Sequence, residues 1–453
     1  MSWPLHSALL TDLYEITMAA AYFESDFQPT ASFELFVRSL PPERSFLLAA
    51  GLEQALDYLE GIRFQPEEIE YLRRQPVLAN FDKAFFEYLR DFRFTGEVWA
   101  LPEGTPVFGE EPLLRVTAPI IEAQIVETFL LSNLTFQTMI ASKGARVAAA
   151  AAGRPVIDFG TRRAHGPEAG FLAARASFLG GCTGTSNVAA GMRFGVPIFG
   201  TLAHSYVMAY DDELEAFRRF EELFPEHAVL LVDTYDTLAA VDKIIHSGLR
   251  PKSIRIDSGD LCTLSQEARR RLDAAGLNQT RIFASGDLNE FVITDLLARD
   301  AKLDAFGVGT ALATSKDAPS LSGVYKLVDL VSGGTTSYRA KFSEEKVTYP
   351  GRKQVFRFQT AGTYTGDVIA RDCEAYPEAW PLLAPVMREG RRLAPSPDLR
   401  QIQEYARQEV AKLPEPCRQL RPGEPYAVRF SRQLQSLLEE LRERDTMVSK
   451  RSG

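Results

Sequence analysis

The chain has 453 residues, 45% of them hydrophobic and 25% charged, with a formal net charge of −9. That length exceeds one ordinary domain and that balance is the balance of a soluble globular protein, so two or three domains are expected. No long basic tract offsets the acidic excess, which excludes a nucleic-acid footprint, and the most apolar stretch, around Val147–Ala152, is alanine-rich and too short to span a bilayer.

The first residues, MSWPLHSALLTDLYE, have no basic segment followed by a long apolar core, so no signal peptide is expected. Leu9–Phe23 reads as a helix opened by Thr11 or Asp12, with Glu15 near the third helical position as in a capping box. Ala31–Arg38 alternates like a half-buried strand. Two helical stretches containing proline and glutamate follow, then strands around Gly96–Leu101 and Leu113–Thr117. Residues 1–119 form an α+β domain in this reading.

Ile120–Ala152 is a long helical region, stopped by Gly153 and Pro155. Lys143 and Arg146 lie three apart on one face of it. They are either a solvated basic stripe or an anion-facing pair. From there to about residue 330, six short apolar runs each end in polar, glycine-rich sequence: Pro155–Gly160, Val196–His204, Ala228–Asp236, Ile254–Asp260, Ile282–Asp287 and Ala305–Thr310. Runs this short and β-branched read as buried parallel strands, separated by stretches long enough for crossover helices. A parallel sheet or barrel gathers its reactive groups at the carboxyl ends of its strands. Those ends carry Asp158, Arg162, Arg163, Thr201, His204, Asp233, Asp236, Asp257, Asp260, Asp287 and Thr310. After Ser332–Gly334 come short strands (Tyr338–Phe342, Lys353–Gln359, Tyr364–Ala370) and charged helices near Asp398–Lys412 and Ser431–Arg444. Residues 331–453 are expected to be a small cap whose last residues, from Met447, fray. The cysteines (Cys182, Cys262, Cys373, Cys417) are far apart without ligand-like spacing, which fits a reducing cytosol and argues against a disulfide framework or a structural zinc.

Three clusters carry chemistry. In Ile254–Asp260, Arg255 points away from the face of Ile254 and Ile256. There it can grip a carboxylate or phosphate, or form an internal ion pair with Asp257 or Asp233. Asp257 and Asp260 can accept from sugar hydroxyls or hold magnesium through water. Gly307-Val308-Gly309-Thr310 lets backbone N–H groups approach an anion, and with Ser285-Gly286-Asp287 one strand earlier it matches the phosphate site that barrels build from their last loops. No Gly-x4-Gly-Lys-Ser/Thr occurs, so a P-loop is absent. His204, one of five histidines, lies just past a strand among carboxylates. It is either a satisfied structural residue or a group used for acid–base or nucleophilic work.

Together these residues resemble the nicotinate phosphoribosyltransferase family. The motifs are Thr11-Asp12-Leu13-Tyr14, Asp158-Phe159-Gly160-Thr161-Arg162-Arg163, Gly200-Thr201-Leu202-Ala203-His204-Ser205, Arg255-Ile256-Asp257-Ser258-Gly259-Asp260 and Gly307-Val308-Gly309-Thr310, followed by Gly323-Val324-Tyr325-Lys326-Leu327. Their order fits from about residue 9 to 330.

The resemblance implies a type II phosphoribosyltransferase fold. This is an irregular TIM-like α/β barrel over 120–330, with an α+β sandwich N-terminal domain and the C-terminal cap completing the sandwich. It implies a cytoplasmic homodimer in NAD salvage that condenses nicotinate with phosphoribosyl pyrophosphate, coupled to ATP hydrolysis and using Mg2+. Tyr14, reaching across from the second subunit, and Phe159 would sandwich the pyridine ring, with Thr161, Arg162, Ser186, Thr201, Ser205 and Arg255 around nicotinate. Lys143, Arg162, Asp257, Ser285, Gly286, Asp287, Gly307, Gly309 and Thr310 would hold the phosphates and ribose. His204 would be the phosphorylated histidine and act with Arg255 and Asp257 in catalysis. Magnesium would ride on the substrate pyrophosphate rather than on protein ligands.

Ser186, in Gly184-Thr185-Ser186-Asn187, stands where the related nicotinamide enzyme carries an aspartate. A neutral residue there suits an acid, whereas a carboxylate would repel it. The rival readings are a nicotinamide phosphoribosyltransferase and a non-catalytic phosphoribosyl-ligand binder. The extra basic residues a quinolinate enzyme would need are not identifiable.

Overall fold

The computed structural model describes residues 6–343 and 346–451. The chain divides into two compact units. One comprises Met1–Thr138, Ser320–Asp398 and Gln408–Gly453, and the other Met139–Pro319 and Leu399–Arg407. The sequence reading draws its boundaries at 119/120 and 330/331, where the chain changes pattern. The compact units divide instead inside the helix Glu127–Ala150 and just before the strand Gly323–Ser332.

The first unit is built on a seven-stranded sheet. At its heart Thr30–Val37 runs antiparallel to both Gly323–Ser332 and Pro112–Pro119. Its alternation suggests one wet face, yet every residue after Thr30 is buried. Leu35 and Phe33 enter the hydrophobic core. The polar face is covered too: Ser32 meets the Thr117 hydroxyl at 3.0 Å, and Glu34 accepts from the Lys353 N–H at 2.7 Å. Lys353 begins a strand (Lys353–Thr360) of a second, four-stranded sheet. Three helices, Leu52–Gly61, Pro66–Arg73 and Lys83–Asp91, occupy the region where two were expected.

The first helix runs Leu13–Glu24 with Asp12 at its N-cap, but the expected capping box does not form. The Thr128 hydroxyl takes both carboxylates instead, lying 2.7 Å from Asp12 Oδ2 and 2.8 Å from Glu15 Oε1. The long helical region is two helices, Ile120–Ile125 and Glu127–Ala150, broken at Val126. Gly153 follows in the left-handed region at φ 80°.

In the second unit the strands are all parallel, in the order Gly184–Thr185, Val156–Asp158, Ala305–Val308, Arg281–Ala284, Ser253–Ile256, Val229–Leu231. Five of the six expected runs are among them. Val196–His204 is not a strand: only Ile198 pairs, in a single parallel bridge to Thr185. Gly184–Thr185, with no apolar signature, was not expected as one. Helices such as Pro167–Leu179, Thr237–Ser247, Leu261–Ala274 and Glu290–Ala298 carry the chain between strands, as parallel pairing requires. Ile157, Phe159 and Phe283 pack together in the sheet's interior. A parallel six-stranded sheet with helical crossovers is the α/β core expected from the sequence.

Toward the C-terminus, Leu399–Ala411 and Arg432–Arg451 are helices. Gln403 on the first donates to the Cys182 carbonyl at 2.9 Å. The fraying expected from Met447 falls partly on Ser452 and Gly453, which lie outside the described residues. Among the described residues no helix is long and apolar enough to cross a membrane.

Candidate active site

At the carboxyl ends of the barrel strands lies a cavity of about 210 Å³ lined by Phe159, Arg162, Arg163, Arg255, Asp257, Ser285, Gly286, Asp287, Gly307, Gly309 and Thr310. Strand alternation builds its centre. Ile254 and Ile256 are fully buried, and Arg255 between them points the other way. Its guanidinium donates from Nε to Ser285 Oγ at 2.7 Å, from Nη1 to Thr201 Oγ1 at 2.7 Å and from Nη2 to Asp257 Oδ1 at 2.5 Å. It also stands over the Phe159 ring, 5.4 Å from the centroid. A guanidinium has five N–H donors, so these three bonds orient it and leave donors for an anion. Of the two ion pairs considered from sequence, the one with Asp257 forms.

Asp257 accepts from both Arg255 and Ser285. Burial alone would raise its carboxyl, but those hydrogen bonds and the charge of Arg255 hold it below the ordinary value. It is therefore an anion at any physiological pH. Asp233 stands behind it. Its Oδ2 accepts from the Asp257 N–H at 3.1 Å and the Ser258 hydroxyl at 2.6 Å, while the buried Oδ1 has no hydrogen-bond partner. That free oxygen lies 4.0 Å from His204 Nε2, and Asp257 Oδ2 lies at the same distance. His204 Nδ1 is 3.2 Å from the Thr234 hydroxyl. The histidine opens the short helix His204–Met208 with its side chain 43% exposed, so it is not a buried structural residue.

Two glycines are required by sterics. A Cβ on Gly286 would stand 1.9 Å from the Asp257 carbonyl oxygen, and its φ is 88°. A Cβ on Gly307 would meet the Phe159 ring at 2.7 Å. Each lets a loop close against the neighbouring strand end. Thr310 begins a single helical turn, Thr310–Ala313.

Several acidic strand-end residues are structural. Asp236 and Asp260 cap helices, accepting from Ala239 N–H and from Cys262 and Thr263 N–H respectively. Asp158 is buried between the Gly160 N–H and the Thr185 hydroxyl, both at 2.8 Å. Burial pushes its carboxyl up against those two bonds. Ser186 donates its N–H to the Asp158 carbonyl and is half-buried, and Thr161 has a buried hydroxyl without a partner. Ser205 is exposed beside His204. Neither Thr161, Ser186 nor Ser205 lines the cavity.

Lys143 and Arg146 do share a helix face, but that face is buried rather than solvated. Lys143 bonds Glu290 Oε2 at 2.5 Å and Asp317 Oδ1 at 2.7 Å, and Arg146 bonds Glu290 Oε1 at 2.8 Å. Tyr14, in the other unit, is 47% exposed. Burial, then the charges of Glu127 and Glu15, push its hydroxyl up, so it stays protonated. Sequence reading placed Arg163 and Asp233 among the strand-end groups, with Asp233 as a possible partner of Arg255, but did not assign Arg163 to the cavity it lines or Asp233 to His204, and it gave Thr234 no role. The acidic, hydroxyl-bearing end of Val232-Asp233-Thr234-Tyr235-Asp236 was the available signal. Among the described residues no cluster of three His, Cys, Asp or Glu side chains is arranged to hold a metal.

Three family models tile the chain. A nicotinate phosphoribosyltransferase N-terminal domain matches residues 9–135, a quinolinate phosphoribosyl transferase C-terminal domain 140–337, and a nicotinate phosphoribosyltransferase C-terminal domain 374–438. A nicotinate phosphoribosyltransferase of Mycobacterium tuberculosis is 48% identical over 447 residues, covering 97% of this chain and 95% of that protein. The chain belongs to the nicotinate phosphoribosyltransferase family. A nicotinate phosphoribosyltransferase of Bacillus subtilis is 41% identical, over 80% of this chain and 76% of its own. The crystal structure of the human nicotinic acid phosphoribosyltransferase superposes with a TM-score of 0.83 at 29% identity, covering 95% of this chain and 99% of that one. The cavity lining thus comes from the segment of this family member that matches the quinolinate-type barrel domain.

Proposed function

We propose that this chain is a nicotinate phosphoribosyltransferase of NAD salvage, condensing nicotinate with phosphoribosyl pyrophosphate to nicotinate mononucleotide and pyrophosphate. The observation that carries the reading is the Arg255 node, one guanidinium held between an aromatic face, a hydroxyl pair and an ionised carboxylate in a cavity that Arg162 and Arg163 also line. Nicotinate offers a flat ring for Phe159 and a carboxylate for the remaining donors of Arg255. The backbone and hydroxyls of Ser285–Asp287 and Gly307–Thr310, with Arg162 and Arg163, suit the phosphates, and Asp257 suits the ribose hydroxyls.

In the transfer, the pyridine nitrogen attacks C1′ of the ribose as the bond from C1′ to the pyrophosphate oxygen breaks, and pyrophosphate leaves with the electron pair. The centre passes through oxocarbenium character, which needs fixed negative charge more than a strong nucleophile. Asp257 and Asp233 supply that charge. Magnesium, carried by the substrate pyrophosphate rather than by protein ligands, would supply charge neutralisation of the leaving group.

ATP coupling belongs to the same proposal. With the proton on Nδ1 and Thr234 accepting it, His204 Nε2 bears the lone pair that takes the γ-phosphoryl group as ADP leaves. Water later hydrolyses the phosphohistidine. Tyr14, exposed on the first unit, completes the base slot of a partner subunit in a homodimer. A cytoplasmic location is part of the reading and is supported by four free cysteines.

Product analysis tests it, with nicotinate, nicotinamide and quinolinate each supplied with phosphoribosyl pyrophosphate, with and without ATP. Losing a charged partner in a desolvated pocket costs several kcal/mol, so nicotinate should be preferred over nicotinamide by roughly a hundredfold or more. Equal turnover of the two bases, or preferred use of quinolinate, would overturn the assignment.

A further inference from the structure

We infer that Lys143 is a positioning residue that ties together the two phosphate loops and does not itself touch phosphate; this rests on the phosphoribosyl-transfer reading above. The loops Ser285–Asp287 and Gly307–Thr310 leave the adjacent parallel strands Arg281–Ala284 and Ala305–Val308. Each is followed by one carboxylate that turns back into the protein. Glu290 opens the helix Glu290–Ala298 just past Asp287 and is fully buried. Asp317 follows the turn Thr310–Ala313. The Lys143 ammonium, 2% exposed on the helix Glu127–Ala150, bonds both, at 2.5 Å to Glu290 and 2.7 Å to Asp317. It is thus a point shared by the two loops' anchors. Arg146, one turn along, holds the other oxygen of Glu290 and lies over the Phe291 ring at 5.6 Å.

Charge argues against a direct phosphate contact. Lys143 already meets two carboxylates, and Arg146 holds the second oxygen of Glu290, so the charge of the ammonium is matched before any polyanion binds. Lys143 is also absent from the lining of the cavity. A buried ammonium held by two carboxylates is costly to unpair, and that cost is what makes the clamp rigid. Pinning both loops to one helix sets their separation, and phosphate recognition by backbone N–H groups depends on such separations being held.

The test is initial-rate kinetics on the full chain with each substrate varied, together with calorimetric binding of phosphoribosyl pyrophosphate. Asp317→Asn cuts one arm of the clamp at a partly exposed position and leaves Lys143 paired to Glu290. A clamp predicts that KM and Kd for phosphoribosyl pyrophosphate rise about tenfold while KM for nicotinate stays within about twofold, and that Asp317→Glu largely restores both. A direct phosphate ligand predicts the opposite. Removing one of the two competing carboxylates would make the ammonium more available and leave the phosphoribosyl pyrophosphate KM unchanged or lower, and that result would overturn the inference. Lys143→Met should reproduce the phosphoribosyl pyrophosphate defect; should it fail to fold, the Asp317 pair of variants decides alone. If the wild type binds phosphoribosyl pyrophosphate but makes no nicotinate mononucleotide, the activity assignment fails, and the calorimetric comparison still judges the clamp.

Discussion

His204 sits between two kinds of neighbour. On one side Thr234 offers a hydroxyl to Nδ1, and on the other Asp233 and Asp257 present oxygens 4.0 Å from Nε2. The hydroxyl can fix a tautomer, leaving Nε2 as nucleophile. In the proposed phosphoryl transfer, the carboxylates would stabilise positive charge on the ring and then repel the phosphoryl group once it is attached. On that proposal a phosphohistidine would be poised for discharge, and its added charge would act on the adjoining phosphate site. Incubation with γ-labelled ATP should therefore give an acid-labile, base-stable label that His204→Ala removes. The same substitution should abolish stimulation by ATP but leave slow ATP-independent transfer, because Arg255, Asp257 and the glycine loops still place the substrates. A folded His204→Ala enzyme whose ratio of rates with and without ATP matches the wild type would end the phosphohistidine proposal. Phosphoribosyl transfer would survive it.

The helix Leu13–Glu24 shows how an element can be correctly located and yet held by forces its sequence does not display. Glu15 Oε1 accepts from the Thr128 N–H and lies 2.8 Å from its hydroxyl, while the Asp12 side chain makes no cap bond. Burial pushes the Glu15 carboxyl up to about 7, with the nearby charge of Glu127 adding to the rise and the Thr128 hydrogen bond opposing it. Raised above the ordinary value of 4.5, the group keeps its proton in the folded chain through a range where the unfolded chain has lost it. Its contribution to stability is thus full at low pH, falls as pH rises from about 4.5 through 7, and is flat above. Glu15→Gln mimics the neutral form. Its stability relative to wild type should be more favourable at pH 8 than at pH 5, by on the order of 1–2 kcal/mol, read from denaturant midpoints. A difference independent of pH would show that Glu15 does not carry the raised carboxyl. The same contrast runs through the barrel. Ser253–Ile256 and Ala305–Val308 were legible because β-branched and aromatic residues alternate or cluster over a strand's length. Gly184–Thr185 was not, since two small residues pair with Ile157 and Asp158 only because the sheet supplies the edge. Val196–His204 misled because Val196, Ile198 and Phe199 have strand chemistry, whereas Pro197 has no N–H to give a ladder and only Ile198 finds a partner before the His204 helix begins. The site's chemistry was readable where it followed strand ends in sequence, as at Arg255 and Asp257. The Lys143 cluster was not, because its partner Glu290 lies 147 residues away and no local pattern announces it.

At the scale of the whole molecule, the residue least explained by its own fold is Tyr14. Helix-start residues Leu13 and Tyr14 are 56% and 47% exposed, although Ile16, Ala19 and Ala20 of the same helix are buried in the core. A large apolar pair left in solvent at a motif position is what an interface residue looks like before its partner arrives. In the proposed homodimer each Tyr14 closes the base slot of the other subunit, so each active site is made of two chains. Mixing separates this from a role in its own chain. Tyr14→Ala should raise KM for nicotinate while leaving the melting temperature near that of wild type, and Arg255→Ala should be inactive, since it removes the centre of the site. A hybrid dimer of the two has one site carrying both lesions and one carrying neither. Under conditions where Tyr14→Ala alone is too weak to register, an equimolar mixture allowed to exchange subunits should recover about a quarter of wild-type activity per total site, because half the dimers are hybrids and half the sites in each hybrid are intact. If exchange is verified with differently tagged chains and no activity returns, Tyr14 serves the site of its own chain or none, and the shared-site dimer is wrong.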